Sequence, residues 1–352
     1  MPALRTVLRK ASISAAALLG MFVIVETVTR TLEPGPFSFV DHNPYIEHPS
    51  YPGIVRHRPG FEGRWDGTWY QINELGLRGP AIPASPLPGE FRVVALGDSC
   101  TFGKGVAEQD TWPRQLEGLL AAALPEGTPV VVANLGVNGY SGRTYEQMFE
   151  DVGAGLNPDL VVVGYNLNDF PNAIRAVDEF VFRNRKARRM LSQDLRDALG
   201  RTATYRWMRQ TYYHSRREAD WKNAEAFAGG VADSAPDDEA WLEQAAFLES
   251  IRDQAHAVGA QMAVFLFPYE SQVYLDSFDS APIDRLRESC ATLDLPFVDL
   301  AEEFRRAARQ SDPPRELFLK GDRYHPNREG YRIVAEGVVD LIVERQWART
   351  AD

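Results

Sequence analysis

The sequence predicts an α/β fold, a doubly wound parallel sheet of five strands covered by helices on both faces. Short, nearly continuous apolar runs alternate with helical periodicity between about residues 91 and 350, as in parallel strands that are buried on both faces. The composition is also that of a globular protein, with 44% hydrophobic and 25% charged residues. Collagen-like, coiled-coil and wholly disordered chains are therefore excluded.

The predicted elements follow one another without an internal repeat. In the first helix Asp110 or Thr111 offers an N-cap, Pro113 suits the first turn, and leucines recur at helical spacing. The strands are predicted at 92–96, 130–133, 160–163, 261–267 and 297–298, and the later helices at 144–156, 239–258, 283–293 and 328–347.

The N-terminus has the pattern of a membrane-targeting segment. Arg5, Arg9 and Lys10 precede an uncharged apolar run over 11–25, as in a secretory signal or a signal anchor. No good small-residue cleavage site follows the run, so we expect residues 1–30 to form an uncleaved signal anchor. A cleaved signal peptide and a buried core helix are the alternatives. The basic flank would stay in the cytoplasm and place the rest of the chain in a periplasmic or extracellular location.

Two segments interrupt the α/β pattern. Residues 31–90 are rich in proline, glycine and aromatic residues, which predicts an extended lead-in with a short hairpin, packed on the domain at 91–350. Residues 170–240 combine helical spacing with many arginines and predict a basic helical insertion. Its arginines could bind anionic lipid headgroups or an anionic polymer, although a solvated helical face is the simpler interpretation.

Charge and cysteine content exclude further classes of function. The formal net charge of −11 disfavours a nucleic acid as partner, since that surface needs a basic footprint. Two cysteines exclude a disulfide scaffold and an all-cysteine metal cluster. The six histidines lack metal-ligand spacing. We therefore expect neither a metal nor another cofactor.

Four polar motifs lie where the chemistry of such a fold is expected. Three follow predicted strands and one precedes the last helix, and ligands of open parallel sheets bind at the carboxyl ends of the strands. Any one of them could be an ordinary turn, but four unrelated turns would rarely meet at one edge. The motifs are Gly97-Asp98-Ser99, Asn134-Leu135-Gly136-Val137-Asn138-Gly139, Asn166-Leu167-Asn168-Asp169 and Asp322-Arg323-Tyr324-His325-Pro326-Asn327.

The first and last motifs contain the residue types of a serine nucleophile and its base. Ser99 lies on a tight strand-to-helix turn, which can present its hydroxyl together with a backbone N–H as an oxyanion donor. His325 can act as the general base, and Asp322, three residues earlier, can hold its imidazole in one tautomer. Cys100 is either a competing thiol or, more simply, a small buried side chain behind the turn.

These motifs resemble those of the SGNH (GDSL-type) hydrolase superfamily over about residues 91–345. The resemblance implies a flavodoxin-like sheet, with Ser99 as the nucleophile, His325 as the base and Asp322 as its orienting carboxylate. It also implies three oxyanion donors: the Ser99 N–H, the Gly139 N–H and the Asn168 side chain.

Two parts of the resemblance leave alternatives open. Gly136 is the alternative to Gly139. The third block of the family reads Gly-x-Asn-Asp, whereas this chain has two asparagines, so Asn166 is the alternative to Asn168. The segment at 72–79 also looks like the one that precedes the catalytic domain in membrane-anchored members, and it suggests no role in the chemistry.

The resemblance implies a serine esterase that hydrolyses O-acyl esters of a small molecule, a glycan or a lipid. An O-acyltransferase that modifies an envelope polysaccharide would use the same site, with a sugar hydroxyl replacing water. A binding protein that keeps the fold without activity is the third possibility, although the intact set of Ser99, Asp322 and His325 argues against it.

Overall fold

A computed structural model describes the parts of the chain on which the following account rests. It covers residues 2–32, 44–51, 54–65, 68–166, 169, 202, 204, 238–274, 280–310, 314–320, 322 and 324–348. The chain divides into two compact units, one of residues 1–42 and 182–227 and the other of residues 43–181 and 228–352. The basic insertion predicted at about 170–240 lies almost wholly outside the described residues.

The first unit contains one long helix, α1 (Pro2–Leu32). Near its end the Glu26 carboxylate accepts hydrogen bonds of 2.9 Å from the backbone N–H and the hydroxyl of Thr204, and it pairs with Arg30 one turn later at 2.8 Å. Among the residues that the structure describes, no helix combines the length and the apolar character needed to cross a membrane. The expected signal anchor at 1–30 therefore has no support from the structure.

The lead-in forms two antiparallel strand pairs, where the sequence predicted one short hairpin. Strand β1 (Tyr45–Glu47) pairs with β2 (Val55–His57), and β3 (Glu62–Trp65) pairs with β4 (Thr68–Gln71). The described part of this segment, from residue 44 onward, belongs to the same compact unit as the main sheet.

The main sheet confirms the predicted fold class. Its strands are β5 (Phe91–Gly97), β6 (Val130–Asn134), β7 (Leu160–Tyr165), β8 (Gln261–Leu266) and β9 (Phe297–Asp299). They lie in the order β6-β5-β7-β8-β9, and every neighbouring pair is parallel. All residues of β5 and β7 are buried, which explains their continuous apolar sequence. The strand order reverses at β5, so the crevice at its carboxyl end is the expected ligand site.

Helices cover both faces of the sheet. They are α2 (Ser99–Phe102), α3 (Trp112–Ala123), α4 (Gly142–Met148), α5 (Asp238–Ala257), α6 (Glu270–Tyr274), α7 (Ala281–Thr292), α8 (Ala301–Ala308) and α9 (Arg328–Glu344). Val94 and Leu96 of β5 pack with α4, α5 and α7, whereas Val93 and Ala95 pack with α3, α8 and α9. The alternation of side chains along one strand thus divides the core into two layers.

The helix ends follow from local capping. Thr111 caps α3, and the Asn327 side chain caps α9 by accepting the N–H groups of Glu329 and Gly330. The helix predicted at 144–156 is regular only in α4, after which the chain continues through a π turn and a 3₁₀ turn to Leu156.

Candidate active site

Ser99 is the first residue of the short helix α2, directly after β5. The Asp98 carboxylate caps this helix by accepting the Cys100 N–H at 2.8 Å. Gly97 is needed at the turn because a Cβ there would lie 2.1 Å from the Thr101 hydroxyl oxygen. The sequence Gly97-Asp98-Ser99 therefore makes a sharp strand-to-helix turn that places the serine at the carboxyl edge of the sheet.

The structure brings Ser99, His325 and Asp322 together in one hydrogen-bonded chain. The His325 Nε2 lies 2.8 Å from the Ser99 Oγ, and its Nδ1 lies 2.7 Å from the Asp322 Oδ2. All three residues are buried. When Nδ1–H donates its hydrogen bond to the carboxylate, the unprotonated Nε2 of the imidazole can accept the serine proton.

Asp322 is held as a carboxylate by its neighbours. Burial alone would raise its pKa, but the hydrogen bonds from the His325 ring and from the N–H groups of His325 and Tyr324, together with the imidazole charge, lower the pKa to about 2. Its Oδ1 accepts both N–H groups at 3.2 Å. The spacing of three residues thus allows one carboxylate to fix both the backbone and the ring of the histidine.

The two candidate glycines of the second motif differ in their surroundings. A Cβ at Gly136 would lie 2.2 Å from the Phe102 backbone nitrogen, so this glycine allows the loop after β6 to pack against α2. Gly139 has a φ of +81°, and a Cβ there would meet no atom within 4 Å. Gly136 therefore has a packing role, whereas Gly139 forms a left-handed turn that glycine adopts without strain.

The third motif contributes a buried acid. Asp169 accepts hydrogen bonds from the Tyr145 hydroxyl at 2.8 Å and the Asn166 N–H at 2.9 Å. Burial, and then the charge of Asp98, raises the pKa of Asp169 well above its usual range. These bonds tie Asp169 to α4 and to the end of β7. Asn168 lies outside the described residues.

Asn166 and Cys100 lie against each other. The Asn166 amide nitrogen is 3.2 Å from the Cys100 sulfur, and the thiol lies 3.4 Å from the Tyr324 carbonyl oxygen. Burial raises the pKa of the Cys100 thiol well above its ordinary value, with a further contribution from the Asp98 charge. Cys100 is therefore a buried, protonated thiol and does not compete with the serine. Both Cys100 and Cys290 are free.

An aromatic pair beside the histidine was missed by sequence reasoning. The Tyr324 ring lies 4.5 Å from the His325 ring and 6.0 Å from the Tyr269 ring. Tyr269 comes shortly after β8, so the rule that located the other motifs could have found it. Among the described residues, no group of three His, Cys, Asp or Glu side chains is placed to hold a metal ion.

Comparison with known proteins gives one family match. Residues 95–333 match the model of the GDSL-like lipase/acylhydrolase family. A comparison with curated protein sequences finds no match.

Several solved structures are similar to this chain at low sequence identity. An acetyl xylan esterase is 15% identical over 72% of this chain and 100% of its own, with a TM-score of 0.44. A catalytic mutant of an acetylxylan esterase from Geobacillus stearothermophilus is 16% identical over 72% and 94%, with a TM-score of 0.44. A psychrotrophic esterase from Pseudoalteromonas is 12% identical over 72% and 98%, with a TM-score of 0.42.

Proposed function

The chain belongs to the GDSL-like lipase/acylhydrolase family, and we propose that it is a serine esterase whose triad is Ser99, His325 and Asp322. The observation that carries the proposal is the buried hydrogen-bond chain, with 2.8 Å between Ser99 Oγ and His325 Nε2 and 2.7 Å between His325 Nδ1 and Asp322 Oδ2. The substrate is an O-acyl ester of a small molecule, a glycan or a lipid.

The reaction proceeds in two halves. His325 takes the proton of Ser99 as Oγ attacks the ester carbonyl carbon, and the imidazolium then gives that proton to the leaving alcohol. A water molecule, deprotonated by His325, attacks the acyl-enzyme and releases the acid. Asp322 stays ionised and stabilises the imidazolium in both halves.

The proposed oxyanion hole consists of the Ser99 N–H, the Gly139 N–H and the Asn168 amide. The left-handed turn at Gly139 and the packing role of Gly136 support Gly139 over Gly136 as the donor. The position of the Asn166 amide against the Cys100 sulfur supports Asn168 over Asn166. Each donor would stabilise charge that develops only in the transition state.

Hydrolysis of a short-chain aryl acetate by the full chain tests the proposal. We expect turnover by the wild type and none above background by Ser99→Ala, with unchanged circular dichroism. An inactive wild type would refute the esterase function, and activity that survives Ser99→Ala would refute the site. Acyl release that requires a glycan hydroxyl as acceptor would identify a transferase instead.

We also propose that the hydrolase domain acts outside the cytoplasm. The proposal rests on the basic residues that precede the apolar run, a pattern typical of exported proteins. Alkaline phosphatase fused after Leu32 should be active in cells, because that reporter folds only in an oxidising compartment. An inactive fusion would refute export.

A further inference from the structure

Arg78, in the lead-in, is buried against the helix that carries the nucleophile. Its side chain donates hydrogen bonds to the carbonyl oxygens of Phe102 at 2.7 Å, Gly103 at 2.5 Å and Val106 at 2.7 Å. The residue is only 3% exposed. These carbonyls end α2 and begin the loop that follows it, only three to seven residues after Ser99.

The neighbouring aromatic rings fix the guanidinium in place. Its carbon lies 4.7 Å from the centre of the Tyr70 ring and 4.8 Å from that of Phe102. The Tyr70 hydroxyl in turn accepts the Gly105 N–H at 3.1 Å. Arg78 and Tyr70 thus form hydrogen bonds with four backbone groups between Phe102 and Val106 from the lead-in side.

A helix of four residues depends on such external partners. It is too short to be stable by its own hydrogen bonds, and its terminal carbonyls lack partners within the helix. A cation at this end complements the helix dipole, and its hydrogen bonds are stronger than those of a neutral donor. The position of Ser99 relative to His325 is therefore sensitive to the group that anchors the end of α2.

The lead-in also holds the turn that contains Gly139. The Asn138 amide donates to the Tyr45 hydroxyl at 2.6 Å, and the Tyr140 hydroxyl donates to the Val55 carbonyl at 2.9 Å. The residues on both sides of Gly139 are thus tied to β1 and β2. One segment of chain therefore contacts both the helix that carries the proposed nucleophile and the turn that contains Gly139.

We propose that Arg78 is a positioning residue for catalysis, which fixes the end of α2 and thereby the alignment of Ser99 with His325. The inference rests on the proposed function and deepens it. The sequence suggests no role in the chemistry for the segment at 72–79, whereas these contacts give it one. A displacement of the nucleophile by about 1 Å is enough to cost about a hundredfold in rate.

Arg92 provides a matched control within the same chain. It is also a buried arginine, and its guanidinium bonds two carbonyl oxygens, those of Pro83 and Leu156, at 3.0 Å each. It lies at the amino end of β5, away from the nucleophile turn. Substitution of either arginine removes a buried cation, but only Arg78 contacts α2.

The experiment compares Arg78→Met, Arg78→Lys, Arg92→Met and Arg92→Lys in the full chain. The readouts are kcat and KM for an aryl acetate, the rate at which a fluorophosphonate labels Ser99, and Tm. We expect Arg78→Met to lower kcat and the labelling rate about a hundredfold with little change in KM, and Arg78→Lys to restore part of the loss. Arg92→Met should lower Tm at least as much, yet keep kcat at temperatures where it is folded.

Four outcomes would overturn the inference. Wild-type kcat in a folded Arg78→Met would do so. Losses of kcat that scale with the loss of Tm in the same way for the Arg78 and Arg92 variants would also do so. If Arg78→Met does not fold, wild-type kcat and labelling rate in Arg78→Lys would count against it in the same way. Lack of Ser99-dependent hydrolysis in the wild type would overturn the proposed function and this inference with it. The other outcomes would overturn only this inference and leave the proposed function standing.

Discussion

Buried charged side chains are arranged differently at the two ends of β5. At the amino end, the Arg92 guanidinium pairs with the Glu90 carboxylate at 2.6 Å, and both side chains are inaccessible to solvent. The Asp159 carboxylate accepts the Arg92 backbone N–H at 2.8 Å. Here an acid and a base compensate each other, which is the condition under which buried charges are tolerated.

At the carboxyl end, buried acids lie near one another. The charge of Asp98 adds to the burial that raises the pKa of Asp169, while the pKa of Asp322 is lowered through its hydrogen bonds with His325. Perturbed pKa values of opposite direction in one cleft are typical of functional sites. The comparison indicates that the strand has a compensated ion pair at its amino end and, under the proposed function, the catalytic groups at its carboxyl end.

The largest expected effect is that of Ser99→Ala. Removal of a serine nucleophile elsewhere lowers kcat about a million-fold, so we expect hydrolysis of an aryl acetate to fall to background while Tm stays within a few degrees. Ser289→Ala on α7 is the control and should keep full activity. A large loss of Tm in Ser99→Ala would break the comparison, because this end of β5 would then serve stability as well.

Asp322→Asn should lower kcat about ten-thousand-fold, since the amide no longer selects the reactive tautomer of His325. The wild-type carboxylate has a pKa of about 2, below the value of about 3.9 in the unfolded chain. A depressed pKa stabilises the folded state above the unfolded pKa, and this contribution is lost as the pH falls from about 4 to about 2.

Urea unfolding at pH 6 and at pH 3 measures this contribution. The free energy of unfolding should fall with pH more steeply in the wild type than in Asp322→Asn. Equal slopes for the two proteins would show that Asp322 is not the linked group.

Gly139→Ala and Gly136→Ala should separate geometry from packing in the second motif. In Gly139→Ala the added Cβ meets no atom within 4 Å, but the positive φ strains the alanine by about 1–2 kcal/mol. We therefore expect a folded protein whose kcat is lowered about tenfold or more. Alanine at Gly136 would clash with α2, so its main effect should be a lower Tm. The prediction fails if Gly139→Ala keeps wild-type kcat at unchanged Tm.

Glu90→Ala should have the smallest effect on activity. It leaves the Arg92 charge buried without its partner, which elsewhere costs about 3–5 kcal/mol. We expect a lower free energy of unfolding by denaturant, with kcat within about threefold of wild type where the variant is folded. If kcat stays low at a reduced temperature at which Glu90→Ala is folded, the division of roles along β5 would be contradicted.

Local patterns predicted the parts of the molecule that depend on local geometry. The strands were found because burial on both faces imposes continuous apolar runs, and Asp322 and His325 because three residues of backbone place them together. The motifs that contain Ser99 and Gly139 followed from the rule for the carboxyl ends of parallel strands, and the choice of Gly139 over Gly136 came from the family resemblance. The apolar run at 11–25 predicted an anchor that the structure does not support.

Other features depend on contacts that no local pattern encodes. Arg78 binds carbonyls that lie 24 to 28 residues further along the chain, and nothing in its own neighbourhood indicates them. Helix α8 is only two turns long, and its eight residues give too short a period to recognise. The difference between Gly136 and Gly139 appears only when the distance to α2 is known.

The dependence of α2 on the lead-in affects how the enzyme can be shortened or recombined. The family match begins at residue 95, so a truncation cut at that boundary would keep the triad and discard Arg78, Tyr70 and Tyr45. Such a fragment would hold every recognised motif and still lack the groups that orient the nucleophile turn. The smallest transferable unit of this hydrolase therefore begins before Tyr45, and chimeras should exchange the lead-in and the sheet together.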